Sequence, residues 1–232
     1  MPSESSPYFI GVAGESGVGK TTIAGSMSFF YGEENTLVVS TDDLHKWERT
    51  SPMWSHLTHS NPDANNLEMG DLQIEALSRG EPIYRSSYNH DNGHFTPPRK
   101  LFPKPYVINE GLHAFFSDKA NAAMGLRVYV DTEDSLRVEW KMLRDTRCRG
   151  YSRKEAEEMI ARRRADDSLI RSVQLPRSDV VIGLSVGSDG KLAISMRFQG
   201  SSAGQRAMLD FVAESLIGKP GPLLAYEQGG KT

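Results

Sequence analysis

The chain has 232 residues, of which 38% are hydrophobic and 25% are charged, and its formal net charge at pH 7 is −3. This composition is typical of a globular protein, no apolar run is long enough to span a bilayer, and the charge balance does not indicate nucleic acid as a partner. Residues 1–7 lack the basic and apolar regions of a signal peptide, so we expect a cytoplasmic protein that binds no membrane.

Apolar and polar runs alternate along the chain. In chain order they predict a strand over residues 8–13, a helix over 21–30, a strand over 36–40, irregular structure over 44–68 and a helix over 71–79. A proline-rich loop or edge hairpin over 81–105 follows, then strands over 106–109 and 126–130, helices over 133–148 and 152–171, strands over 179–184 and 192–198, and a helix over 206–217. Strands that alternate with helices favour an α/β domain with a mainly parallel sheet.

The strongest signal is the sequence GESGVGKT at residues 14–21, which fits the P-loop pattern in full. Its glycines let the backbone curl until successive N–H groups point at phosphate oxygens, and the helix that follows adds its positive N-terminal end. We expect Lys20 to reach the β- and γ-phosphates of ATP and the Thr21 hydroxyl to bind Mg²⁺. The predicted nucleotide-binding residues are Gly14, Glu15, Ser16, Gly17, Val18, Gly19, Lys20, Thr21 and Thr22. The predicted fold is therefore a three-layer P-loop NTPase fold with a helical lid.

Carboxylates stand at the ends of two further predicted strands. Asp42 and Asp43 follow the strand over 36–40, and Glu110 follows the strand over 106–109. A carboxylate beside a P-loop can accept the proton of an attacking hydroxyl or hold Mg²⁺, so we predict Asp42 as the base and Thr21, Asp42 and Glu110 as the metal site. The Asn-Lys-x-Asp and Asp-x-x-Gly strings of a GTPase do not occur in the chain, which favours a kinase.

Basic residues concentrate between Arg137 and Arg171, on the two charged helices. A solvated basic face would account for most of them. A phosphoryl-transfer site also needs cations over the migrating group, and kinases of this kind tend to carry them on a mobile helical lid. We predict that Arg149 and Arg163 act in catalysis and that Arg162 binds the substrate.

Several short segments carry a family resemblance. They are Asp42-Asp43-Leu44-His45 with Arg49, Tyr88-Asn89-His90, Glu110-Gly111-Leu112-His113, and Arg144-Asp145 with Arg149-Gly150-Tyr151. Over about residues 8–183 the chain resembles the phosphoribulokinase and uridine kinase family of P-loop kinases, and phosphoribulokinases in particular. The resemblance implies that Asp42 is the catalytic base and that His45, Arg49, Tyr88 and His90 hold a phosphate-bearing substrate.

The resemblance also implies a reaction and a domain plan. The reaction is transfer of the γ-phosphoryl group of ATP, with Mg²⁺, to a hydroxyl of a sugar phosphate such as ribulose 5-phosphate, by a homo-oligomer. We predict one kinase domain over residues 1–218, with its lid at about 145–171, and a flexible tail over 219–232.

Two alternatives stay open. One is a nucleoside kinase similar to uridine kinases, and the other is a non-catalytic nucleotide-binding regulator. His45 and Leu112-His113 favour a phosphoribulokinase over a uridine kinase, because uridine kinases usually have Tyr in place of His45 and continue Glu-Gly with Ile. The set of Lys20, Asp42 and Glu110 argues against a regulator, which would not need a base.

Overall fold

A six-stranded sheet forms the centre of the computed structural model, which describes residues 6–199 and Met208. Within these residues the strands are β1 (Tyr8–Ala13), β2 (Thr36–Ser40), β3 (Ile83–Arg85), β4 (Arg99–Leu101), β5 (Tyr106–Gly111), β6 (Leu126–Thr132), β7 (Val180–Val186) and β8 (Leu192–Phe198). The α-helices over the same part of the chain are α1 (Lys20–Tyr31), α2 (Leu67–Ser78), α3 (Asp118–Ala123), α4 (Asp134–Arg147) and α5 (Arg153–Gln174).

The strand order in the large sheet is β2-β5-β1-β6-β7-β8. Its strands run parallel, except that β8 pairs antiparallel with β7. Strands β2, β5 and β1 are neighbours, and Glu110 pairs with Val12 on one side and Ser40 on the other. The carboxyl ends of these three parallel strands therefore lie together at one end of the sheet. This places the P-loop after β1, Asp42 after β2 and Glu110 near the end of β5 side by side.

Both faces of the sheet are buried, as expected for parallel strands with continuous apolar runs. On one face Ile10 of β1 belongs to the same buried cluster as Ile23 and Met27 of α1. On the other face Phe9 of β1 clusters with Leu77 of α2. Successive residues of β1 thus point to opposite layers, and the prediction of a three-layer α/β fold is confirmed.

Two helices differ from the predictions. Helix α2 begins at Leu67, four residues before the predicted start at 71, and its buried face holds Gly70, Gln73, Ile74 and Leu77. The apolar Leu72, on which the predicted spacing relied, is instead 51% exposed. Helix α3 was not predicted, because a six-residue helix is too short to show a period.

The region over 81–105 is a hairpin in which β3 pairs antiparallel with β4. The predicted helix over 206–217, except for Met208, and the predicted tail over 219–232 lie outside the described residues. The domain and lid boundaries therefore stay predictions. Among the described residues, no helix combines the length and the apolar character that crossing a lipid bilayer requires.

Candidate active site

The P-loop connects β1 to α1 and lies directly against α4. Gly17 has a φ of +91°, and a Cβ atom there would lie 3.0 Å from the Cβ of Lys141. The ammonium of Lys20 folds back and donates a hydrogen bond to the main-chain oxygen of Glu15, with an Nζ–O distance of 2.7 Å. Among the described residues, no side chain caps the N-terminus of α1. Its first N–H groups therefore remain available to an anion.

Three charged side chains converge beside the P-loop. Lys20, Asp42 and Glu110 line one cleft of about 340 Å³, a volume within the ~300–1,000 Å³ range of small-molecule sites. Burial lowers the pKa of Lys20, and the charges of Asp42 and Glu110 offset part of that shift. Burial and the neighbouring charge of Asp42 raise the pKa of Glu110, and Lys20 opposes the rise.

An oxygen-rich corner of this cleft fits a magnesium ion. The Oγ1 of Thr21 lies 3.5 Å from Oε2 of Glu110, and Asp42 lines the same cleft. Hydroxyl and carboxylate oxygens are the donors that Mg²⁺ prefers, and the ion is usually held by one or two carboxylates together with substrate phosphates. The three predicted metal residues therefore provide a suitable donor set next to the expected phosphates.

Asp42 contacts His90, which the hairpin loop brings from 48 positions later in the chain. The distance from Nε2 of His90 to Oδ2 of Asp42 is 3.2 Å, and Nδ1 of His90 lies 3.2 Å from Nη2 of Arg149. Because a guanidinium can only donate, Nδ1 must accept and Nε2 must carry the hydrogen that Asp42 accepts.

The carboxyl group of Asp42 is held ionised. Burial by itself raises the pKa of Asp42, but the hydrogen bond from His90 and the electrostatic interactions with His45, His90 and Lys20 outweigh burial and keep that pKa well below its ordinary value. An ionised carboxylate that still has a free lone pair can accept a proton from a hydroxyl placed in the cleft.

Aromatic and imidazole rings form the wall of the cleft beyond Asp42. His45 is buried, and its Nδ1 lies 2.7 Å from Oδ1 of Asn65. The ring of His45 meets Trp54, His59 and Tyr88 edge-on at centroid distances of 5.7, 5.0 and 5.0 Å. Trp54 and His59 stack face to face at 3.7 Å. His45, His59 and Tyr88 line the cleft, and Trp54 packs against two of these rings from behind.

Arg49 joins this wall to the tip of the hairpin. Its guanidinium donates to the main-chain oxygens of His90 and Asp91, and it lies over the ring of Tyr151 at 5.8 Å. The main-chain N–H of Arg49 donates to the oxygen of Gly93 at 2.9 Å. Arg49 therefore places a positive charge at the rim of the cleft and also fixes the loop that carries His90.

A cluster of charges at the end of α4 faces the P-loop. Asp145 is 1% exposed and lies 2.7 Å from Nζ of Lys141, 3.0 Å from Arg144 and 3.5 Å from Arg149. Arg144 also reaches the hydroxyl of Ser16 in the P-loop at 3.4 Å. Burial lowers the pKa of Arg149 to about 10 and that of Lys141 to about 7. One buried carboxylate thus orients several cations toward the cleft.

Arg163 brings a further cation from α5. It is 8% exposed, and its Nη2 lies 3.0 Å from Nδ1 of His59. Because the arginine donates, Nδ1 of His59 accepts. Burial and the charge of Arg163 lower the pKa of His59 to about 2, so the ring stays neutral. The structure thus brings α5 and the ring wall to the same cleft.

The structure collects most of the residues that the sequence predicted. Those that line the cleft are Ser16, Lys20, Thr21, Asp42, His45, Arg49, Tyr88, His90, Glu110, Arg149 and Arg163. Gly14, Glu15, Gly17, Gly19 and Thr22 lie in or beside the P-loop, whereas the side chain of Val18 is buried in the core.

Arg162 does not join them. Its Nη2 donates to the main-chain oxygens of Trp54 and Ser55 at 2.7 and 3.3 Å, and it is not among the residues that line the cleft. His59 lines the cleft and was not predicted, because an isolated histidine in an irregular segment carries no local signal. Arg144 and Asp145 also line the cleft, although no separate role was predicted for them. The sequence signal for them is the Arg144-Asp145 segment within the basic stretch.

Comparison with known proteins agrees with this geometry. A sequence model described as the phosphoribulokinase / uridine kinase family matches residues 9–186. A phosphoribulokinase from Synechocystis sp. is 34% identical over 173 residues, which cover 75% of this chain and 52% of the relative. A uridine kinase from Lactobacillus helveticus is 30% identical over 152 residues, which cover 63% of this chain and 71% of that protein. The chain spans about half the length of the phosphoribulokinases from Synechocystis sp., Chlamydomonas reinhardtii and Spinacia oleracea.

Solved structures show the same fold. A phosphoribulokinase from Rhodobacter spheroides superposes with a TM-score of 0.68 at 19% identity, over 89% of this chain and 85% of the other. A D-glycerate 3-kinase from Cryptococcus neoformans superposes with a TM-score of 0.54 at 11% identity, over 86% and 92% of the two chains. At these identities the likeness concerns the fold alone.

Proposed function

Because this chain belongs to the phosphoribulokinase/uridine kinase family, we propose that it transfers the γ-phosphoryl group of ATP to a hydroxyl of a sugar phosphate. The observation that carries the proposal is the position of Asp42. Its ionised carboxylate accepts from His90 at 3.2 Å and lines the same cleft as Lys20 of the P-loop. A base and a phosphate-binding loop on one cleft are what transfer to a hydroxyl needs.

The P-loop side of the cleft would hold the nucleotide. The N–H groups at the start of α1 and the ammonium of Lys20 would bind the phosphates. Thr21, Asp42 and Glu110 would hold Mg²⁺, which when bound neutralises charge on the phosphates. Lys20 now donates to the main-chain oxygen of Glu15 at 2.7 Å, and it would exchange this contact for a phosphate oxygen.

The opposite side of the cleft would hold the acceptor. Arg49 at the rim offers a guanidinium to an anion, His45 lies in the wall, and Tyr88 and His90 flank the base. The positive charge of Arg49 favours a phosphate-bearing sugar over a neutral nucleoside, because a phosphate must exchange its water for charged donors. Asp42 would accept the proton of the attacking hydroxyl as the new O–P bond forms.

The lid side would stabilise the migrating group. Arg149 and Arg163 line the cleft from α4–α5 and are held by Asp145 and by the neutral ring of His59. Guanidinium groups fixed in a water-poor cleft stabilise the charge that develops on a transferring phosphoryl group. The predicted role of Arg162 on the substrate has no such contact to support it.

Two sequence-based predictions are kept as further proposals, namely a cytoplasmic location and a homo-oligomeric state. Both follow only from the N-terminal composition and from the family. Size-exclusion chromatography with light scattering on the full chain tests the second, and a mass of one chain would contradict it.

The activity is tested by ADP release from Mg-ATP with ribulose 5-phosphate, uridine or no acceptor. We expect stimulation by ribulose 5-phosphate and formation of a bisphosphate product. Stimulation by uridine alone would assign the nucleoside kinase alternative. Tight ATP binding without turnover on either acceptor or on a wider panel of sugar phosphates would assign the regulator.

A further inference from the structure

A buried arginine contacts the turn that carries Asp42. Arg85, on β3 of the hairpin, is 7% exposed. Its Nε lies 3.3 Å from Oδ2 of Asp43, its Nη1 lies 2.5 Å from Oε1 of Gln73, and its Nη2 donates to the main-chain oxygen of Ser40. Each nitrogen of this guanidinium therefore has an acceptor. Two of the three acceptors belong to the residues that flank Asp42 at the end of β2.

Asp43 links the same turn to the hairpin a second time. Its Oδ1 accepts the main-chain N–H of Tyr88 at 2.7 Å, while its Oδ2 accepts from Arg85. Asp43 lines the cleft, but both of its carboxylate oxygens are engaged by the hairpin residues Arg85 and Tyr88. A simple turn-capping role does not account for this, because the side chain that caps the turn is Ser40, which accepts the N–H of Asp42 at 3.3 Å.

These contacts close a ring of interactions around the base. From Asp42 the ring runs through His90, back along the hairpin to Tyr88, through Asp43 to Arg85, and from Arg85 to Ser40. The turn that holds the base and the loop that holds His90 are therefore fixed to each other at two places. We propose that Arg85 and Asp43 are positioning residues that hold Asp42 and His90 in register for proton abstraction.

The proposal rests on the proposed kinase function and deepens it, since neither residue of the pair is assigned contact with the reacting atoms. A guanidinium with three fixed acceptors cannot be replaced by another residue without leaving some of them unpaired. A shift of about 1 Å in a reacting group can cost ~10²-fold in rate. Loss of the pair is therefore expected to lower the rate because Asp42 is displaced, while the binding of the nucleotide is unchanged.

A double-mutant cycle tests this on the full chain. Arg85→Gln is made in the wild-type background and in Asp42→Asn, and ADP release is measured with Mg-ATP and ribulose 5-phosphate. Arg79→Gln is the matched control, because Arg79 is half-exposed and pairs with Glu75 and Glu81 on the surface. Equilibrium binding of ATP to each variant reports whether the P-loop is intact.

We expect Arg85→Gln to lower kcat by ~10²-fold, to raise the KM for ribulose 5-phosphate and to leave the KM for ATP within about twofold. In the Asp42→Asn background the same change should lower kcat by no more than about threefold, since residues that act as a unit are not additive. An unchanged kcat in the wild-type background, or an equal fall in both backgrounds, would overturn the proposal.

If Arg85→Gln fails to bind ATP, the same cycle is run with Asp43→Asn, which keeps an oxygen for the N–H of Tyr88 and loses the charge that faces Arg85. Coupling to Asp42 supports the proposal, and additivity overturns it. Failure of the proposed function is seen separately, as a wild-type chain that transfers to no sugar phosphate or an Asp42→Asn variant with the wild-type rate.

Discussion

The Nε2 of His90 lies 3.2 Å from Oδ2 of Asp42, and this contact joins the proposed base, just after β2, to the loop of the β3–β4 hairpin. Arg149 occupies the other nitrogen of the same ring at 3.2 Å. The imidazole is therefore fixed as a donor to the carboxylate. Two predictions depend on this pair.

The first concerns the base itself. Asp42→Asn keeps the size of the side chain but removes its ability to take a proton. We expect kcat to fall by roughly 10²–10⁴-fold while the KM for ATP stays near the wild-type value. Steady-state ADP release measures both. Asp118→Asn is the control, because Asp118 lies on α3 with a side chain that is 92% exposed and pairs with Arg177 away from the cleft. A full rate in Asp42→Asn would remove Asp42 from the role of base.

The second concerns pH. The hydrogen bond from His90 lowers the pKa of Asp42, so His90→Ala should raise that pKa toward its ordinary value. Protonation of the base would then begin at higher pH, and the acid limb of the pH profile of kcat/KM should move upward. His94→Ala is the control, because His94 lies on the same hairpin loop but contacts Glu48 at 2.8 Å. An acid limb that stays in place would show that His90 does not tune the base.

A third prediction addresses the lid. Arg149→Lys retains a positive charge, but lysine cannot bond Asp145 and His90 in the way that a planar guanidinium does. We expect kcat to fall by roughly 10–10³-fold. Arg153→Lys at the start of α5 should match the wild type, because Arg153 is 85% exposed and pairs with Glu157 on the surface. Equal rates in the two variants would contradict a role for Arg149 over the phosphoryl group.

A fourth prediction uses two glycines. Gly17→Ala would place a Cβ atom 3.0 Å from Lys141 at a φ of +91°, so the P-loop would have to shift away from α4. We expect a loss of ATP affinity of at least about tenfold, measured by equilibrium titration. The added Cβ atom of Gly25→Ala in α1 meets no atom of the described residues within 4 Å, and this change should instead stabilise the protein by about 0.5–1 kcal/mol without changing ATP affinity. Unchanged affinity in Gly17→Ala would exclude a rigid contact between the P-loop and α4.

A fifth prediction concerns acid stability. His113 is 4% exposed, and its Nε2 donates to the main-chain oxygen of Ser60 at 3.1 Å. Burial lowers its pKa from 6.5 to about 4, so the unfolded chain takes up a proton first as the pH falls. The contribution of His113 to the free energy of unfolding should therefore decrease between pH 6.5 and 4, with about 2 kcal/mol lost by pH 5.

Urea unfolding at pH 7.5 and pH 5 measures this loss. His113→Gln keeps a donor for Ser60 and should reduce the difference between the two pH values by about 2 kcal/mol, whereas a change at the exposed His56 should leave it nearly unchanged. The same difference in His113→Gln and in the wild type would show that His113 is not the group responsible.

The features that could be predicted from the sequence are those that depend on residues close to one another in the chain or at the ends of strands. The P-loop at residues 14–21 could be recognised from the sequence because all its parts are contiguous: the glycines shape the backbone of the loop, and Lys20 follows them directly. Asp42 and Glu110 could be found because the carboxyl ends of parallel strands meet at one edge of the sheet. The alternation of strands and helices along the chain predicted the three-layer α/β fold.

The tertiary structure alone decided which side chains support that edge. Arg85 reaches Asp43 across 42 positions, and Arg163 reaches His59 across 104. Such contacts leave no period and no spacing in the sequence, because they arise where separate elements happen to be packed against one another. Arg162 is a further example. Its place among the basic residues of α5 predicted a role in substrate binding, but its guanidinium donates to the main-chain oxygen of Trp54. A motif names the residue type that the chemistry needs, whereas the direction of a side chain is set by the packing of the whole fold.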